Sequence, residues 1–168
     1  MVPFETLYRS EFRGVWSFLR RLGARASMVD DLTHDVFLTA YQRLHTFDAS
    51  RPVGPWLRGI AWKIAADHRR LHFHEREIGS EVEASAPQAA PDELLAQKQA
   101  QQMLDEALLS LDFEKRTVFV FHDIEGQSVP DIAALIDVPV STTYSRLRLA
   151  REQMSAAVHR IRLRRGIA

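Results

Sequence analysis

Fifteen consecutive residues, 79–93, resist assignment to any packed element: Gly-Ser-Glu-Val-Glu-Ala-Ser-Ala-Pro-Gln-Ala-Ala-Pro-Asp-Glu is small, acidic and twice interrupted by proline. Such a stretch buries too little apolar surface to offset the entropy of ordering it, so it reads as a flexible acidic linker. On both sides apolar residues recur at spacings of three and four, and nothing alternates with the period of two that a strand requires. The expected fold class is therefore all-α, with two small helical domains at residues 1–78 and 94–168, joined by the linker at 79–93 and without internal repeat.

Composition narrows the function classes. The 168 residues include no cysteine, which excludes disulfides, thiolate metal sites and a cysteine nucleophile. No apolar run approaches the roughly 18 residues that span a bilayer, and Met-Val-Pro-Phe-Glu-Thr at the start lacks a basic segment followed by a hydrophobic one. No membrane insertion is expected, and the expected location is cytoplasmic. The formal net charge is zero, but it conceals a segregation. Residues 81–115 hold eight acidic residues against two lysines, whereas residues 140–168 hold seven arginines against Glu152 alone. A basic end beside an acidic centre suits DNA contact protected from indiscriminate binding, or a merely solvated face.

In the first half, Phe4, Leu7, Tyr8, Phe12, Val15, Trp16, Leu19 and Leu22 predict an amphipathic helix closed by Gly23. Residues 27–44 predict a second, capped by Ser27, with Val29, Leu32, Val36, Ala40 and Leu44 inward and Asp31, His34 and Asp35 on the other side. Acids near a helix N-terminus are favoured by the macrodipole, so these can be stabilising decoration or a docking surface. After a turn-rich loop, Phe47–Pro55, a third helix opens at Trp56. Trp56, Leu57, Ile60, Ala61, Ile64 and Ala65 form its core stripe, and Arg58, Trp62, Lys63, Asp67, His68, Arg69 and Arg70 lie elsewhere. Interleaved aromatic and basic groups suit single-stranded DNA, although Trp62 also suits a core. His68, His72 and His74 invite a metal, but the neighbouring arginines would repel a cation; no metal and no cofactor are expected.

Beyond the linker, Leu94, Leu95, Met103, Leu104, Ala107, Leu108 and Leu111 predict one helix, and Val118, Phe119, Phe121 and His122 another. Residues 126–151 then read as a helix-turn-helix. Ser128 caps its first helix, with Asp131 accepting in capping-box fashion; Asp137 suits a left-handed turn, Pro139 ends the helix, and Ser141 caps the next. That second helix carries Thr142, Thr143, Tyr144, Ser145, Arg146, Arg148 and Arg151, equipment for a DNA major groove or for a solvated αα-hairpin.

Four motifs, in order and over nearly the whole chain, resemble one family, the bacterial extracytoplasmic-function (group IV) RNA polymerase sigma factors. Leu7-Tyr8 with Arg20-Arg21-Leu22-Gly23 resembles the start of region 2. Asp31-Leu32-Thr33-His34-Asp35-Val36-Phe37 resembles its core-binding helix, and Trp56-Leu57-Arg58-Gly59-Ile60-Ala61-Trp62-Lys63 with Asp67 and Arg69-Arg70 resembles the segment that handles the −10 element. Leu111, Arg116, Val118, Glu125-Gly126-Gln127-Ser128, Ile132-Ala133 and Ser145-Arg146-Leu147 resemble region 4. Departures occur at His34 for the usual glutamine, Lys63 for asparagine, Asp112 for a frequent proline, Ser141-Thr142-Thr143-Tyr144 for Gly-Thr-Val-Lys/Arg, and Leu149 for arginine.

The resemblance implies a promoter-specificity subunit rather than an enzyme. It implies that Asp31, His34, Asp35 and Phe37 dock on the β′ clamp helices of core RNA polymerase. Trp56, Arg58, Trp62, Lys63, Asp67, Arg69 and Arg70 would capture −10 DNA as it melts. For −35 duplex it implies base contacts from Tyr144, Ser145 and Arg148 and backbone contacts from Thr142, Thr143, Arg146 and Arg151. The implied partners are core polymerase through β′ and the β flap, promoter DNA, and an anti-sigma factor. A stand-alone dimeric helix-turn-helix regulator is the alternative; it explains residues 126–151 and leaves the second and third helices idle.

Overall fold

The computed structural model describes residues 3–72 and 92–167, and the chain divides into two compact units, Met1–Glu83 and Ala84–Ala168. Among the described residues there are seven α-helices and no strand. His74 and residues 79–91 of the expected linker lie outside the described residues, while Asp92 and Glu93 already belong to a helix. No described helix is long and apolar enough to cross a membrane.

The first unit is three mutually packed helices: α1 (Phe4–Arg21), α2 (Val29–Arg43) and α3 (Val53–Leu71), with a 3₁₀ turn at Leu44–Thr46. Val15, Phe18 and Leu19 of α1 meet Val29, Leu32, Val36 and Ala40 of α2 and Leu57 and Ala61 of α3, all buried. Each large member of this set contributes about 1.5–3 kcal/mol relative to exposure. The buried Thr33 hydroxyl donates to the Val29 carbonyl at 2.6 Å, which removes the penalty of an orphaned donor. Gly23 follows α1 with φ 100°, as expected of a helix terminator.

Two boundaries differ from expectation. Ser27 makes no cap for α2; Met28 is the N-cap, and the Val29 amide bonds the Arg25 carbonyl at 2.9 Å, so a backbone turn does the work. Helix α3 opens at Val53 rather than Trp56 and takes Gly54 and Pro55 into its first turn. A proline there costs no hydrogen bond, because first-turn amides have no intrahelical acceptor.

The second unit is built on α7 (Val140–Arg165), 26 residues long, against which α4 (Asp92–Leu109), α5 (Phe113–Phe119) and α6 (Val129–Ile136) pack. Thr143, Leu147, Ala150, Met154, Ala157 and Ile161 are its buried residues, spaced alternately by four and three, so one seam runs nearly the whole helix. Asp112, standing where the resembled family often has proline, is the N-cap of α5 and accepts the Lys115 amide at 2.9 Å. A π turn, Val120–Ile124, continues α5 toward the helix-turn-helix.

Candidate polymerase and promoter interfaces

Helix α2 has three acids in succession with different commitments. Asp30 accepts the Trp16 indole N–H at 2.8 Å, so it belongs to the α1–α2 packing. Asp31 and Asp35 are exposed and have no hydrogen-bond or ion-pair partner among the described residues. The macrodipole accounts for Asp31, in the first turn; it does not account for Asp35, two turns in. His34, exposed between them, leans on the rings of Tyr8 and Phe12 at 6.4 and 5.9 Å.

Phe37 corrects the expectation of direct docking. It is 2% exposed, enclosed by the rings of Phe4, Tyr8 and Phe12, with the Tyr8 centroid 4.7 Å away. With these three rings of α1 packed over it, the residue has no free face; it supports the surface from beneath. Sequence reasoning missed Leu38 and Tyr41, which are 58% and 62% exposed. The progression 31, 34, 35, 38, 41 is itself helical spacing, so extending the acidic face by one more turn would have found them.

On α3, Trp56, Lys63 and Arg70 stand seven residues apart and share a face. The Trp56 ring packs on Phe47 from the preceding loop at 4.9 Å. Asp67 lies between the two cations, 3.4 Å from Lys63 Nζ and 2.6 Å from Arg70 Nη2, holding them in a row. Trp62 is half-buried and its indole N–H is buried with no hydrogen-bond partner among the described residues. Arg69 is half-buried.

Arg58 does not join this surface. Its guanidinium meets Glu11 at 3.3 Å across α1, with only 12% of the side chain exposed. A Cβ on Gly14 would fall 2.5 Å from Arg58 Nη2, so the guanidinium lies directly over the bare Cα and would have to shift for any larger residue at 14. Its expected role as a DNA ligand is corrected to a tie between α1 and α3. A partner 47 residues away is invisible to helical spacing.

The helix-turn-helix forms largely as expected. The Asp131 amide bonds Ser128 Oγ at 3.2 Å as expected, but the Asp131 carboxylate accepts from the Ser128 hydroxyl at 2.6 Å rather than from the backbone, so the capping box is only half formed. Asp137 has φ 55°, the left-handed turn. Ser141 is not the second cap: Pro139 is, and α7 starts two residues earlier than expected, at Val140, with the Pro139 carbonyl accepting the Thr143 amide at 3.0 Å. The Thr143 hydroxyl donates to the same carbonyl at 3.1 Å and the residue is fully buried, which corrects its expected contact with DNA backbone.

Tyr144, Ser145 and Arg148 are exposed, and Thr142 is half-buried. Five of the seven arginines of α7 meet acids of their own unit. Arg148 bonds Glu152 one turn on at 2.8 Å, and Arg146 lies 3.3 Å from Glu114. Arg151 forks onto Asp123 at 2.6 and 2.9 Å, and Arg164 and Arg165 both hold Glu106. The Arg151 hydrogen bond holds the Asp123 carboxyl below the usual carboxylate range, against the opposing effect of burial. The acidic centre thus partly neutralises the basic end within one unit.

Two family profiles match the chain, Sigma-70 region 2 over residues 7–72 and Sigma-70, region 4 over residues 101–154. The chain belongs to the sigma-70 family, in its extracytoplasmic-function group. Among its relatives, the ECF RNA polymerase sigma factor SigL of Mycobacterium tuberculosis is 29% identical over 146 residues, covering 86% of this chain and 82% of that protein. SigW of Bacillus subtilis is 22% identical over 150 residues, covering 83% and 80%. Two solved structures are similar. One is CnrH in complex with the cytosolic domain of CnrY, with a TM-score of 0.64 at 25% identity, covering 93% of this chain and 87% of that one. The other is RpoE in complex with the anti-sigma factor NepR from Bartonella quintana, with a TM-score of 0.71 at 20% identity, covering 93% and 96%. This sigma factor is an alternative promoter-specificity subunit that works with RNA polymerase in transcription initiation. With both regions matched, the helix-turn-helix is one part of a sigma factor rather than a stand-alone regulator.

Proposed function

We propose that this sigma factor divides initiation among three exposed faces. Asp31, His34 and Asp35, extended by Leu38 and Tyr41 and backed by Phe37, dock on the β′ clamp helices. Trp56, Trp62, Lys63, Asp67, Arg69 and Arg70 receive −10 DNA as it melts, rings stacking on bases while cations hold the backbone. Tyr144, Ser145 and Arg148 read −35 base edges, with Thr142 and Arg146 on phosphates. The second unit also meets the β flap. No cofactor takes part, and the site of action is the cytoplasm. An anti-sigma factor, as NepR is for RpoE in the similar solved structure, covers the polymerase-binding surface until released.

The observation that carries this reading is that Asp31 and Asp35 stand exposed and uncommitted while the adjacent Asp30 is used internally. Run-off transcription tests it: the chain with core polymerase initiates at a promoter mapped after overproduction. Tight duplex binding by the chain alone, without initiation, sinks the proposal.

Within the −35 face, Arg148→Ala is expected to cost about 1–3 kcal/mol at the cognate promoter and to relax preference at one base pair. Arg146→Ala weakens all sequences similarly. Binding curves against single-base-pair variants of the site measure both, and equal loss of preference contradicts the division.

A further inference from the structure

We propose that Asp123 is a positioning residue for promoter recognition: through Arg151 it fixes the DNA-reading face of α7, and Arg151 itself contacts no phosphate. The inference rests on the reading of α7 as the −35 helix given above.

Tyr144, Arg148 and Arg151 are spaced by four and three, so they stand on one face of α7. The first two are exposed and have no partner outside α7 among the described residues. Arg151 is the exception. Its Nε and Nη2 each bond a separate oxygen of Asp123, 28 residues earlier. A two-point fork between planar groups fixes orientation as well as distance, which a single ion contact does not. The pair therefore clamps this face of α7 to the π turn, in addition to the buried seam that packs the helix.

The anchor is held at its own base. Asp123 sits in the π turn, where the Glu125 amide bonds the Val120 carbonyl at 3.0 Å, and its side chain is 24% exposed. The next residue back, His122, uses Nδ1 to meet the Gln127 carbonyl at 2.8 Å, tying the π turn to the loop that enters the helix-turn-helix. A π turn places one more residue in each hydrogen-bonded ring than an α turn and so shifts the register of the side chains that follow. Arg146 differs in each respect. Its partner Glu114 is 62% exposed and makes a single 3.3 Å contact, which a phosphate can displace.

The test uses the full chain and a duplex carrying the −35 region of a promoter mapped by its transcription start, with affinity followed from low to high salt. A phosphate ligand removed by mutation lowers the slope of log affinity against log salt by about 0.9; a positioning residue lowers affinity and leaves the slope alone. Arg151→Ala and Asp123→Asn are each expected to weaken binding roughly ten-fold at every salt concentration and to blur base preference. The double variant is expected to be no worse than either single one. Arg151→Lys keeps the charge without the fork and behaves like Arg151→Ala. Helicity and thermal unfolding, measured alongside, show that each variant is folded at the binding temperature. A slope reduced by about one unit in Arg151→Ala, wild-type binding by Arg151→Lys, or tighter binding by Asp123→Asn overturns the proposal. If Arg148→Ala also leaves affinity, preference and slope unchanged, α7 is not the reading helix, and that reading falls together with this inference.

Discussion

Asp35→Arg is expected to abolish recovery of this sigma factor with core RNA polymerase, while its helicity and unfolding temperature stay those of the wild type. The two halves of the expectation come from different observations. Asp35 makes no hydrogen bond or ion pair among the described residues and lies beyond the first turn of α2, so the fold loses nothing when its charge goes. Its neighbours on the exposed face, Asp31 and His34 on one side and Leu38 on the other, form a surface of mixed acid and exposed apolar groups. Losing one partner of a desolvated charge pair costs about 2–5 kcal/mol, and reversing the sign adds repulsion, so affinity falls on the order of 100-fold or more. Asp30→Ala is the internal contrast. It removes the acceptor of the Trp16 indole and should lower thermal stability while the folded protein still binds polymerase. Co-purification of Asp35→Arg with core enzyme at wild-type yield would remove α2 from the interface.

What the sequence made legible follows the reach of each signal. Ser128 and Asp137 act within four residues of their own position, and the bonds and the left-handed turn they form are the ones their chemistry suggests. The extents of α1 and α2 were readable because their apolar periodicity is long. Three features at the site were not. Arg58 turns inward because Glu11 and the bare Cα of Gly14 receive it, and Arg151 is occupied because Asp123 comes back beside it; both facts depend on tertiary partners far away in the chain. The π turn has no compositional mark, since Val120 to Ile124 would suit an ordinary α turn equally well. Phe37 and Thr143 were assigned to surfaces by motif position, and each is buried for the same reason: the residue has packing partners on the side that the motif leaves undescribed.

Arg116→Ala is expected to destabilise the second unit by about 3 kcal/mol, a large share of the 5–15 kcal/mol typical of a whole domain. Helix α4 ends at Leu109, where the Ser110 amide bonds the Ala107 carbonyl and the Leu111 amide bonds the Leu108 carbonyl, both at 3.1 Å, so the last turn is only partly satisfied by backbone. Arg116, reaching back from α5, donates Nε to the Leu108 carbonyl at 2.8 Å and Nη2 to the Leu111 carbonyl at 2.7 Å. Both residues are 2% exposed or less, so water does not readily replace the lost donor. A charged donor is worth about 1.5–3 kcal/mol per bond, and its positive charge also opposes the negative end of the α4 dipole. Because α4 packs on α7, loosening its end loosens the support behind the seam through Ala157 and Ile161 rather than the DNA-reading face directly. Urea unfolding should therefore show an earlier transition for the second unit, with the first unit unmoved. Arg116→Lys keeps the charge at the dipole but cannot reach both carbonyls with a planar fork, so it should recover about half of the loss. An unchanged midpoint in Arg116→Ala would mean that the Leu108 and Leu111 carbonyls are satisfied without the guanidinium and that the cap is dispensable.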